Sequence, residues 1–266
     1  MKFVDSHCHL SMPELSGQLD QVLGWMSQNE VTHALNICTT LEEFEAVLAP
    51  AKIHSNLWAT VGVHPENEGI QEPTVEDLVF RASHPRVVAI GETGLDYFWG
   101  MENRTVEDMQ WQRDRFRVHL QAAIETNLPV VIHTRSASAD TLSILRDEWL
   151  NSGQRLRGVF HCFTETEEVA RAALDLGFYV SFSGILTFKN AADLRLVAQN
   201  VVPLDRTLIE TDSPYLAPVP HRGKTNTPAW VVHVAEQLAQ LKGVSVEEVA
   251  SATAKNFFDL FNKTLH

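Results

Sequence analysis

A chain of 266 residues, 44% hydrophobic and 21% charged, is long enough to bury a sizeable core and too apolar for a disordered segment. A formal charge of −13 excludes a basic footprint for long duplex nucleic acid, although divalent cations in a cleft could reverse the local field. The cysteines Cys8, Cys38 and Cys162, odd in number and without a CxxC pair, exclude a disulfide framework and fit a reducing compartment.

The first apolar run, Phe3 to His9, reads as a strand. A helical stripe of Leu19, Val22, Leu23 and Met26 follows, then a run from His33 to Thr39 and a stripe of Phe44, Val47 and Leu48. Runs from Leu57 to Val63 and Val87 to Glu92 come next. A stripe of Phe116, Leu120, Ala123 and Ile124 precedes the run Pro129 to His133. The run Leu156 to Cys162, the stripe Val169, Ala172, Ala173 and Leu176, and the runs Phe178 to Ser183 and Thr207 to Thr211 complete the alternation. Two further stripes close the chain, Trp230, Val234, Leu238 and Leu241, then Val246, Val249, Ala250 and Phe257. Asn127 and Gly177 are breakers that end helices.

Strands alternating with helices over this length predict a (β/α)8 TIM barrel, one domain over residues 1–266. An open doubly wound sheet is the structural alternative, but no Gly-rich turn follows the first strand. The chain enters Phe3-Val4 without a basic and apolar leader, and no apolar run approaches the roughly 20 residues that span a bilayer. A soluble, cytoplasmic protein with no membrane and no obligate protein partner is expected.

Polar residues collect at the strand ends. His7 and His9 end the first strand, where two-residue spacing puts both rings on one face and Cys8 on the other. His64 follows the third strand, Glu92 ends the fourth, His133 the fifth, and His161 the sixth. Ser181 and Ser183 end the seventh, and Asp212 follows the eighth. In a barrel these ends meet on the rim that carries the chemistry. Burying so many charge-capable groups together is costly unless a cation unites them. His7, His9, Glu92, His133, His161 and Asp212 exceed the three protein ligands of a usual catalytic zinc site, so two divalent ions are expected, with Glu92 able to bridge them. Imidazole-rich ligation suits zinc or manganese better than magnesium. Asp5 shares a face with His7 and could orient an imidazole or lie deeper in the barrel, and Cys8 and Cys162 are expected in the core. His33, His54, His84, His119, His233 and His266 read as ordinary packing or surface residues.

The motifs DSHCHL, GVHPE, AIGETGLDY, VVIHTR, VFHCF, ETDSPYLAPVPHRGKTNTP and NFFDLF, in this order, closely resemble the TatD family of metal-dependent deoxyribonucleases, within the amidohydrolase-like barrels. The resemblance spans almost the whole chain. It implies that His7, His9, Glu92 and Asp212 hold one ion while Glu92, His133 and His161 hold a second. It also implies hydrolysis of DNA phosphodiester bonds, in some members from the 3′ end.

On this reading two ions activate a water for in-line attack, and Asp212 takes its proton. Glu92 and Asp212 are thus the catalytic pair. His64, Arg135, Arg222 and Lys224 are candidate phosphate contacts. Tyr97, Phe98, Trp99, Phe163 and Tyr215 are candidate stacking partners for unpaired bases of single-stranded or frayed DNA ends. Gly91, Gly94 and Gly184 would let backbone approach the substrate or make turns. One rival is an amidohydrolase or lactonase that uses the same metal centre on a small C–N or ester substrate. Related two-metal amidohydrolases often bridge their ions with a modified lysine where this chain has Glu92. A second rival is a non-catalytic binding scaffold, against which the intact ligand set argues.

Overall fold

The computed structural model describes residues 2–98 and 104–265. Its strands are β1 (Phe3–Cys8), β2 (Val31–Asn36), β3 (Leu57–Val61), β4 (Val87–Asp96), β5 (Val130–Arg135), β6 (Gly158–Phe160), β7 (Tyr179–Phe182) and β8 (Thr207–Ile209). They pair in parallel in sequence order, β1 through β8. The ring is completed just past β8, where Asp212 N–H donates to the His7 carbonyl at 2.9 Å and His9 N–H to that of Ser213 at 2.8 Å. Helices lie between the strands, so the fold is a (β/α)8 TIM barrel.

Each expected strand is present, with shifted ends: β2 starts at Val31 and β4 continues to Asp96. Asn127 caps the helix Gln110–Thr126 in the left-handed conformation (φ 54°), as its breaker signal implies. The helices Val75–Ala82, Ser138–Asn151 and Ala192–Asn200 lack a matching stripe in the sequence reading. Each buries only two or three side chains, so its periodic signal is short. The Thr74–Asp77 capping box would have announced the first of them.

Two apolar layers hold the barrel. The larger fills the space between strands and helices and includes Cys8. The other takes a side chain from every strand (Val4, Leu35, Trp58, Val88, Val131, Val159, Tyr179 and Leu208) together with Phe257, Leu260 and Phe261. A cluster shared by all the strands is the barrel interior, and the helix Val246–Leu260 seals its lower end. On β1, β5 and β7, and just past β6 and β8, the side chain two residues further along is polar: Ser6, His133, Ser181, His161 and Glu210. Period two keeps each on the face of its apolar predecessor.

The glycines of β4 serve the barrel wall rather than substrate. A Cβ on Gly94 (φ 138°) would sit 1.9 Å from the His133 carbonyl oxygen, and one on Gly91 (φ 135°) 2.6 Å from that of Val131. Both let β4 run tightly against β5, which carries His133. Among the described residues no helix is long and apolar enough to cross a membrane.

Candidate metal centre

Glu92 is the hub. Its backbone N–H donates to Cys38 O at 3.0 Å, and its carboxylate is 3% exposed at the upper end of the barrel. Oε2 lies 3.3 Å from His7 Nε2 and 4.0 Å from His9 Nε2. Oε1 lies 2.7 Å from His161 Nε2 and 3.3 Å from both His133 Nδ1 and His64 Nε2. Asp212 Oδ1 approaches His9 Nε2 at 3.3 Å and His7 Nε2 at 3.5 Å. Asp212 itself is held in the left-handed region (φ 55°), the kind of local strain that concentrates at functional sites.

The residues therefore meet as expected, and donor atoms converge in overlapping sets: His7, His161 and Asp212; His7, His9 and Glu92; His64, Glu92 and His133. Their tautomers fit a cation. His133 Nε2 sits 2.9 Å from Asp96 Oδ2, and His161 Nδ1 sits 3.2 Å from Glu210 Oε1. Each carboxylate can accept the N–H of the outer ring nitrogen, which leaves the inner nitrogen, on the Glu92 side, as the one that would bind a cation. The His7 and His9 Nε2 atoms face each other at 3.3 Å. His7 Nδ1 and Glu210 Oε2 have no hydrogen-bond partner among the described residues.

Within the cluster the ionisable groups shift one another. Burial would raise Glu92, but the imidazoles of His161, His64 and His7 pull it well below the usual carboxylate range. Burial disfavours imidazolium at His161, yet Glu92 and Glu210 lift it well above the ordinary value. His133 is likewise raised by Asp96 and Glu92 against the effect of burial. His7 is lowered, by burial and by the neighbouring His161, whose ring stacks on it at 3.9 Å.

His64, expected on the rim as a phosphate contact, lies beside Glu92 and His133. Its Nδ1 accepts the Glu66 N–H at 3.2 Å. A neutral His64 therefore carries its proton on Nε2 and donates toward Glu92, the role of a hydrogen-bond donor rather than a ligand. Arg135 lines the cleft with its guanidinium 3.9 Å above the Phe98 ring. Tyr215, half exposed, also lines it, and its hydroxyl donates to Met12 Sδ. The cleft encloses about 740 Å³.

Other candidate residues are differently placed. Tyr97 is buried in the wall, its hydroxyl donating to Asp140 at 2.6 Å and accepting from Arg113 at 2.9 Å. Its backbone N–H donates to Arg135 O. Arg222 donates to Ala217 O and stacks its guanidinium 3.6 Å from the Phe188 ring, and it is not among the residues that line the cleft. Phe163 packs in the core against Phe182, and Trp99 lies outside the described residues. Cys162, expected in the core, instead lines the cleft with φ 41° and its Sγ 3.2 Å from Ser183 Oγ. Asp5 orients no imidazole: its carboxyl meets the backbone N–H groups of Thr211 and His7 and the Thr211 hydroxyl, joining β1 to the end of β8.

Sequence reasoning missed Asp96 and Glu210, although strand parity places Glu210 on the face of Leu208. It also missed a polar spine on the helix Gln110–Thr126. Gln112 accepts Asp96 N–H and donates to Pro65 O and Asp96 O. Arg115 donates to His64 O and Asn67 O, and His119 Nε2 accepts Val63 N–H at 2.9 Å. Together they pin the loop carrying His64 against the end of β4.

A family described as "TatD related DNase" matches residues 4–262 of the chain. A metal-dependent hydrolase of Escherichia coli K12, YcfH, is 49% identical over 98% of this chain and 96% of its own length. A Cronobacter sakazakii protein named as a 3′-5′ ssDNA/RNA exonuclease, TatD, is 34% identical and covers 97% of each chain. The crystal structure of YjjV, a TatD homologue from E. coli K12, superposes with a TM-score of 0.88 at 30% identity over 98% of both chains.

Proposed function

This chain is a member of the TatD family of metal-dependent hydrolases, and from that premise we propose that it hydrolyses DNA phosphodiester bonds from the 3′ end of single strands, using two divalent ions. The observation that carries the two-ion reading is the division of Glu92: Oε2 faces His7 and His9, while Oε1 faces His133 and His161. His7, His9, Glu92 and Asp212 would hold one ion, and Glu92, His133 and His161 the other. Such ions lower the pKa of a bound water and offset charge on the phosphate oxygens.

The protein's own groups do the rest. Asp212, its carboxylate oxygen beside His7 and His9, accepts the proton of the attacking water. Burial would raise Asp212, but His9 and His7 hold it below the usual carboxylate range, so it is ionised near neutral pH. With ions held by the Glu92 oxygens, the His64 Nε2–H, which faces Glu92 in this structure, would turn to a phosphate oxygen. Arg135, backed by Phe98, presents a planar fork to the next phosphate. Tyr215 and Phe98, each 51% exposed at the mouth, give unpaired bases flat faces to stack on. The name of the Cronobacter relative supports this substrate class. The reading takes residues 1–266 as one catalytic domain that works in the cytoplasm, with zinc or manganese ahead of magnesium.

Metal analysis of the purified protein, coupled to assays on 3′- and 5′-labelled strands with and without chelator, tests the proposal. Release of 3′ nucleotides that chelator abolishes and added metal restores is the expected result. DNA left intact under every ion, with turnover of a lactone or amide instead, would place the chain among the amidohydrolases.

A further inference from the structure

Away from the cleft, two histidines face each other in the same way as the pair at the hub. His221 lies in the segment after Asp212, and His233 in the first turn of the helix Val231–Lys242. Their Nε2 atoms are 3.2 Å apart, against 3.3 Å for His7 and His9. His233 Nδ1 lies 2.9 Å from Glu236 Oε2, so the carboxylate takes the Nδ1 proton and leaves the Nε2 lone pair pointing at His221. The His221 ring is fixed in turn, stacked on Trp230 at 3.9 Å and 9°, while its backbone N–H donates to Pro218 O.

We propose that His221 and His233 form a separate surface site for a borderline divalent cation of the zinc, copper or nickel class, with water completing the shell. A cation about 2.0–2.1 Å from each nitrogen would see the 3.2 Å pair at roughly 100°, close to tetrahedral. Imidazole suits these ions, and the carboxylate–histidine arrangement is the usual support for such a ligand. Glu236 supplies compensating negative charge. Burial, His233 and Lys224 together lower the His221 pKa, so its ring is neutral and able to bind at pH 7. Without a cation, the contact survives only in the His221 tautomer that donates to His233. A bound ion would staple the Ser213–Thr227 segment, which carries Tyr215 of the cleft wall, to the following helix. The site is independent of the nuclease reading, because none of its residues belongs to the hub.

Titration of metal-loaded protein with Cu(II), followed by calorimetry and by electron paramagnetic resonance, tests it. The wild type should take up one more equivalent than His233→Ala or His221→Ala, with nitrogen hyperfine lines from two imidazoles. Glu236→Gln should weaken that equivalent by about tenfold or more. Added Zn(II) should slow trypsin cleavage after Arg222 and Lys224 in the wild type and not in His233→Ala. Circular dichroism and an unchanged count of hub-bound metal would show that the variants fold. Equal stoichiometry in wild type and variants, or copper signals without the paired imidazole pattern, would overturn the proposal whether or not the protein cuts DNA.

Discussion

The two ends of the barrel use the same strands for opposite purposes. Val131, Val159 and Leu208 pack beneath the hub against Phe257 and Phe261. Two residues later, His133, His161 and Glu210 point the same way into a polar cluster around Glu92. The lower layer gains from removing apolar surface from water. The upper layer spends part of that gain on charges that only pairing or a cation makes tolerable. Stability and chemistry are thus stacked along one axis and should come apart under mutation.

The sharpest separation is Glu92→Ala. It should cut chelator-sensitive hydrolysis on the order of a thousandfold, about 4 kcal/mol of transition-state stabilisation, because both proposed ion positions share this carboxylate. Steady-state kinetics beside metal analysis checks it, and full turnover by the variant would remove Glu92 from the mechanism. At the other end, Phe257→Ala deletes a fully buried ring and should cost about 3 kcal/mol of unfolding free energy. Denaturant titration reads that loss, while metal affinity should stay at the wild-type value. A parallel drop in metal affinity would mean that the layers are not separable.

Between these lie Asp96→Asn and Glu210→Gln, which leave every ligand present but remove the carboxylate behind His133 or His161. Each should weaken metal binding by up to about a hundredfold, measured by competition with a chromogenic chelator. Unchanged affinity in both would show that the rings need no outer carboxylate to orient them.

The strands and the barrel were legible in the sequence because parallel strands buried on both faces read as apolar, β-branched runs. The hub was legible because it gathers at strand ends, where barrel topology makes distant positions neighbours. What escaped depends on direction rather than position. Tyr97 follows a rim strand as an aromatic, but its ring turns to Asp140 and Arg113 instead of the cleft. Arg222 sits in a rim loop, yet Phe188 offers its guanidinium a face to stack on. Asp96 and Glu210 look like unremarkable acids until a ring nitrogen is found beside each.

Histidine sharpens the contrast further, because the molecule holds buried imidazoles of both kinds. His161 is lifted by Glu92 and Glu210, whereas no carboxylate among the described residues pairs with His119 and burial lowers it to about 4. Its bonds require the neutral ring, with Nδ1 donating to Arg115 O at 2.8 Å and Nε2 accepting from Val63. A folded-state pKa below the unfolded value near 6.5 means that unfolding takes up a proton in acid. Its stabilising effect is complete above about pH 6.5 and is lost as pH falls toward 4. Between pH 6.5 and 5 the wild type should lose about 2 kcal/mol on this account. His119→Gln, which can still accept from Val63, should lose that much less over the same window. Paired denaturant titrations at the two pH values measure the difference. Identical pH slopes would show that the spine histidine does not take up a proton on unfolding.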